Sequence, residues 1–186
     1  MKRRLLLLGT AALAGCSARV YEYQLASLPG TVRGGNGLRI VVRGIGVPSA
    51  LAQTGLPQPG TIYEANSFAN DVWAAPIAGM LQTTMVQNLA QRLPGDAVLA
   101  SGSAIGAPAD IYVEINILAF APDTSGNITL QAQLATRQAA SQNDWQLLPF
   151  RASTQAGNTP DGIAAAMSTL WAQAADVVAG MIPPTS

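Results

Sequence analysis

"DIYVEINILAFAPDTSGNITLQAQLATR", Asp110 to Arg137, holds two runs of strict alternation around a turn. Ile111, Val113, Ile115 and Ile117 recur every second residue before the turn, and Ile128, Leu130, Ala132 and Leu134 after it. A period of two places each set on one side of an extended chain. Between them "APDTSGN" supplies proline, aspartate, serine, glycine and asparagine, each suited to tight backbone reversal. The stretch predicts an antiparallel hairpin with one buried and one solvated face. Such a face needs a cover.

Downstream, Trp145 to Ser153 reads as a further strand, and the cover follows it. Thr159 fits an N-cap, Pro160 the first helical position and Asp161 the positive end of a helix. Ile163, Met167, Leu170, Ala174, Val177 and Met181 keep helical spacing until Pro183-Pro184. Upstream, "PIAGMLQTTMVQNLAQRLPG" predicts a second amphipathic helix. Ile77, Leu81, Met85, Leu89 and Leu93 recur every four residues, with Met80 and Val86 widening the stripe. Pro76 suits its first turn, and Pro94-Gly95 ends it.

Ahead of that helix, strands are expected in "ARVYEYQLASL", with Tyr21, Tyr23 and Leu25 on one face, in "LRIVVRGIGVP", and in "TIYEANSF". Pro29 to Gly37 and Gln53 to Gly60 read as turn-rich loops. The expected class is α+β: a two-layer domain with a mostly antiparallel sheet and two amphipathic helices on one face. With 186 residues, 49% hydrophobic and 11% charged, the chain suits one domain with a real core.

Formal charge balances at 10 basic and 10 acidic residues, but Lys2, Arg3 and Arg4 lie at the very start. The remainder has 7 basic against 10 acidic groups. No basic stripe is visible in the sequence, so nucleic acid is not an expected partner.

The chain has no histidine, and its one lysine is Lys2. Ser-His-Asp triads, histidine metal sites, Walker-A loops and Ser-Lys nucleophiles are thereby excluded from the body of the protein. "GIGVPS" from Gly44 lacks the third glycine of a dinucleotide loop and reads as a strand exit. "SGSAIG", Ser101 to Gly106, lacks the spacing of a nucleophile elbow and reads as a connection. Asp110 and Glu114 are four apart, which on a strand means one face and about 13 Å. They are expected to be structural or solvated, and the chain is expected to be neither an enzyme nor a holder of a cofactor.

"MKRRLLLLGTAALAGC" remains. A positive start, an apolar run of Leu5 to Ala14 and small residues before Cys16 form the layout of a secretory leader. The run is about half the ~20 residues that a membrane-crossing helix needs. Leu13-Ala14-Gly15-Cys16 resembles the lipobox of bacterial lipoproteins. That resemblance implies cleavage after residue 15, with a covalent lipid at Cys16 as the anchor of a domain spanning 16–186. By the sorting rule of enteric bacteria, Ser17 in place of aspartate implies the periplasmic face of the outer membrane.

Three further segments resemble the ABC-type transport auxiliary lipoprotein component family. They are Tyr23-Gln24-Leu25, the stretch "IVVRGIGVPSAL" with Pro48 and Leu51, and Trp73-Ala74-Ala75-Pro76 opening the helix that begins near Ile77. The resemblance implies a non-catalytic component of an MCE-type lipid transport system. Its partners would be an MCE-domain protein and, through it, an inner-membrane ABC permease and ATPase. Ile77 stands where the family has leucine, Ala75 where it often has glutamate, and "SALAQTG" replaces its usual pattern after the proline. Trp73 and Pro76 are the family-like candidates for partner contact; the loops Gln53–Gly60 and Ser101–Ala109 are others. Two rival functions are a lipid carrier with a cavity between helix and sheet, and an assembly factor for an outer-membrane barrel or secretin.

Overall fold

In the computed structural model, which describes residues 18–61, 63–141 and 144–183, ten elements follow one another. They are β1 (Tyr21–Tyr23), β2 (Arg39–Gly46), β3 (Gly55–Pro57), β4 (Ser67–Trp73), α1 (Ile77–Arg92), β5 (Ala97–Ala100), β6 (Ile111–Pro122), β7 (Asn127–Gln138), β8 (Trp145–Gln155) and α2 (Pro160–Met181). Among the described residues no helix is long and apolar enough to cross a membrane.

The hairpin is β6–β7, paired from Ile111↔Gln138 to Pro122↔Ile128. Its turn is set by Asp123, whose Oδ1 accepts from the N–H groups of Ser125 and Asn127 at 2.8 and 3.0 Å. Gly126 takes φ 74°, a conformation that favours glycine. β8 adds antiparallel to β7, with Ala132↔Phe150 near the middle of the register.

The α+β class holds, but the strands form two mixed sheets rather than one mostly antiparallel layer. In the larger sheet, ordered β5-β2-β6-β7-β8, β2 runs parallel to both neighbours. The smaller sheet, β1-β4-β3, has one parallel and one antiparallel pair. Parallel neighbours need a crossover, and the path from β2 to its parallel neighbour β5 runs through β3, β4 and α1. Ile40, Val41 and Val42 in β2 fit such a central strand, since parallel strands read as near-continuous apolar runs.

Other boundaries also differ from the sequence reading. The first strand shrinks to three residues, because Leu25 onward leaves the sheet to lie on the helices. The strand expected in "TIYEANSF" starts only at Ser67 and runs to Trp73. β3 and β5 were not expected; at three and four residues they are too short to show a period.

Both helices cover the same face of the larger sheet. The seam is filled by Ile40, Val42, Val113, Ile128, Leu130 and Leu134 from below and by Leu81, Met85, Leu89, Met167, Leu170 and Trp171 from above, all with no exposed surface. Trp171 donates its Nε1–H to the Leu81 carbonyl at 3.0 Å, which satisfies the one polar atom of that ring. Thr159 caps α2 by accepting from the Gly162 N–H at 3.2 Å.

Candidate functional site

Cys16 lies outside the described residues, five positions ahead of Tyr21, where β1 begins. After β1 the chain forms a strap, residues 24–33, along the seam between the two helices. Its backbone N–H groups donate to each helix in turn: Ala26 to Ser168 Oγ at 3.0 Å, Leu28 to Asn88 Oδ1 at 2.9 Å, Thr31 to Asp176 Oδ1 at 3.0 Å. Arg33 then donates to the Arg92 carbonyl at 2.7 Å. Leu25 is buried beneath it.

The strap is knotted at Arg92, whose side chain is wholly buried. Its Nε and Nη2 grip both oxygens of Asp176 at 2.8 and 3.1 Å. Nη1 donates to the Leu28 and Asn88 carbonyls, and Nη2 also to Ala172, each at 3.0 Å. All five N–H donors of the guanidinium are therefore used, the condition under which a buried charge is tolerable. Burial pushes the Asp176 carboxyl upward, but the bonds from Arg92 and from the Thr31 N–H outweigh it and hold it below the usual range. Gly30 packs flat on the guanidinium, where any Cβ would overlap it.

The sequence reading missed Arg92 because charge suggests the surface. The signal was nonetheless present. Thr84, Asn88 and Arg92 recur every four residues beside the apolar stripe, and all three are buried.

Of the two family-like positions, Trp73 is 5% exposed and belongs to the core, whereas Pro76 stands exposed at the N-cap of α1. The Trp73 N–H donates to the Thr54 carbonyl and the Ala74 N–H to that of Tyr23, each at 2.8 Å, which closes the small sheet around it. Its indole N–H is buried with no partner among the described residues. The loop Ser101–Ala109 exposes Ile105.

The loop Gln53–Gly60 contains β3 and walls a cleft of about 510 Å³ against the far end of β6. There a bulge between Ile117 and Ala119 turns Leu118 outward, to 49% exposure. Leu51, Pro57, Leu118 and Phe120 give the cleft an apolar wall, and Gln131 and Arg151 a polar one.

Asp110 and Glu114 share the solvent side of β6. Arg39 grips Asp110 through Nε at 2.9 Å, Nη2 at 2.6 Å and its own backbone N–H at 2.8 Å. Those hydrogen bonds hold the carboxyl down to about 2. Glu114 meets Arg43 at 2.7 Å. Both carboxylates are thus held in ion pairs. Among the described residues no cluster of three acidic or sulfur ligands could hold a metal ion.

Two crystal structures share this architecture. One, of an uncharacterized protein, is 21% identical with a TM-score of 0.73 and covers 89% of this chain and 100% of that one. The other, from Xanthomonas campestris, is 16% identical with a TM-score of 0.68 and covers 88% of this chain and 94% of that one. At such identities the shared property is the fold. Among curated proteins none matches the sequence. The match that bears on function runs from Tyr23 in β1 to Ala179 in α2: over residues 23–179 the sequence fits the model of the ABC-type transport auxiliary lipoprotein component, and the chain belongs to that family.

Proposed function

We propose that this member of the family is a non-catalytic docking module on the periplasmic face of the outer membrane, anchored by lipid at Cys16. It seats a periplasm-spanning MCE-domain protein, and through it an inner-membrane ABC permease and ATPase, against that membrane. Trp73 acts by shaping the small sheet, and Pro76 offers the adjoining surface.

The strap is the observation that carries this reading. An extended chain covers at most ~3.3–3.6 Å per residue, so the five steps from Cys16 to β1 can reach no farther than about 18 Å. From there the chain is fastened to both helices through Ser168, Asn88, Asp176 and Arg92. A domain mounted so close to its anchor suits a fixed seat rather than a shuttling carrier. The filled seam between helices and sheet points the same way, since a carrier of the expected kind would hold its cargo there. The cleft beside Leu118 and Phe120, large enough for a small ligand, is the one feature that favours a carrier.

A photo-crosslinking residue at exposed Ala75, next to Pro76, tests the docking reading in cells. Capture of an MCE-domain protein supports it. Capture of a barrel or secretin without an MCE-domain protein rejects it. Native mass spectrometry showing a bound lipid that is lost in Leu118→Arg would favour the carrier.

A further inference from the structure

Among the described residues no helix lies on the second face of the larger sheet, and only the segment that walls the cleft stands over its far end. Its residues gather charge that the sequence disperses. Arg39 and Arg43 on β2, Arg137 on β7 and Arg151 on β8 all project from this side, opposite the strand positions that meet the helices. Four of the seven arginines that follow the leader therefore share one face with Asp110 and Glu114, while Glu64 and Asp123 line the cleft with Arg151. The rest of the domain is left acidic, with three arginines against six carboxylates.

The arginines are also stacked. Arg43 lies over the Tyr112 ring at 4.3 Å, and Arg137 lies between Tyr112 at 4.9 Å and Trp145 at 5.0 Å. Asp110 and Glu114 occupy Arg39 and Arg43, but among the described residues neither Arg137 nor Arg151 meets a carboxylate. Beside them Leu147 is 68% exposed. The cleft opens on the same side, through Leu118, Gln131 and Arg151.

We propose that this open face rests on the anionic phospholipid surface to which the chain is anchored, with Arg137 and Arg151 meeting lipid phosphates and Trp145 and Leu147 at the headgroup level. The inference rests on the anchor at Cys16. A tether that reaches no farther than about 18 Å keeps the domain within touching distance of that surface. Tryptophan, tyrosine and arginine are the side chains that favour a membrane interface, where one end is apolar and the other wet. The charge asymmetry then orients the domain, with its cationic sheet face toward the lipid and its acidic remainder away.

Trp145 is a built-in reporter, because the other two tryptophans, Trp73 and Trp171, are buried. The lipid-modified full chain is incorporated into vesicles of brominated phosphatidylcholine, with or without phosphatidylglycerol. The expected result is quenching of tryptophan emission that requires phosphatidylglycerol and disappears in Trp145→Phe. Arg151→Glu, on an exposed side chain, is expected to weaken the quenching at least about fivefold, the change that one arginine near an anionic surface supplies. Arg137→Gln is expected to act in the same direction. A protein that floats with the vesicles yet shows equal, weak quenching in both would overturn the face and leave the anchor standing. One that fails to float removes the anchor, and this inference with it. A photo-crosslinker at Leu147 that captures a protein instead of lipid in cells would also overturn it.

Discussion

On β6 and β7, residues one position apart live in different surroundings. Val113 and Leu134 are sealed under the helices, while Tyr112 and Gln133, their next neighbours, look outward. The inner face is apolar, continuous with both helices and closed by a knotted strap. The outer face is a lattice of arginines, aromatic rings and two ion pairs, with no helix over it among the described residues and a loop only at the cleft end. Both faces come from the same strands, so the fold constrains only one of them. The other is free to carry function.

Substitutions that separate the faces put that difference at risk. The largest effect is expected for Trp171→Ala, which empties a fully buried site and removes the indole bond to the Leu81 carbonyl; it should cost about 4 kcal/mol in urea unfolding. Arg92→Met should follow at about 3 kcal/mol, because Asp176 and the Leu28 carbonyl of the strap lose their donors. Limited proteolysis should then cut within residues 24–33 sooner than elsewhere. Gly30→Ala sharpens the point, as it leaves every charge in place and only crowds the guanidinium; about 1–2 kcal/mol is expected. A loss below about 0.5 kcal/mol in all three would mean the inner layer and strap do not hold the domain.

On the outer face the expected changes are smaller. The Asp110 carboxyl is held below its ordinary 3.8, at about 2, so its pair with Arg39 contributes stability above 3.8 that is lost as pH falls toward 2. Asp110→Asn should remove that part of the acid sensitivity, read as a flatter curve of stability against pH over that interval. Leu147→Ser should change stability by no more than about 0.5 kcal/mol. A larger loss would show that the open face is needed for folding and would erase the contrast.

The sequence disclosed the inner face far better than the outer one. Alternation in β6 and β7, the Thr159 cap and both helical stripes survive in the structure because burial writes a period into the residues themselves. β3 and β5 were invisible, since pairing with distant neighbours defines so short a strand. Arg92 was hidden by its charge, although its spacing from Thr84 and Asn88 betrayed it. The outer face could not be seen at all. Arg43, Tyr112, Arg137 and Trp145 are scattered over about a hundred positions, and only the register of four strands brings them together. The bulge that exposes Leu118 is likewise a product of pairing. For the candidate site, then, the place of Trp73 beside a helix start already pointed to a core contact, the leader and Cys16 lie outside the described residues, and the exposed face emerged with the fold.

Every functional statement here depends on an anchor placed five residues ahead of β1. The direct test is the intact mass of the protein extracted from its native membrane, with the N-terminal fragment sequenced. The account predicts a chain that begins at Cys16 and carries diacylglycerol on the sulfur and an acyl group on the new amine. A chain that still begins at Met1, or a Cys16 with a free thiol, would contradict it.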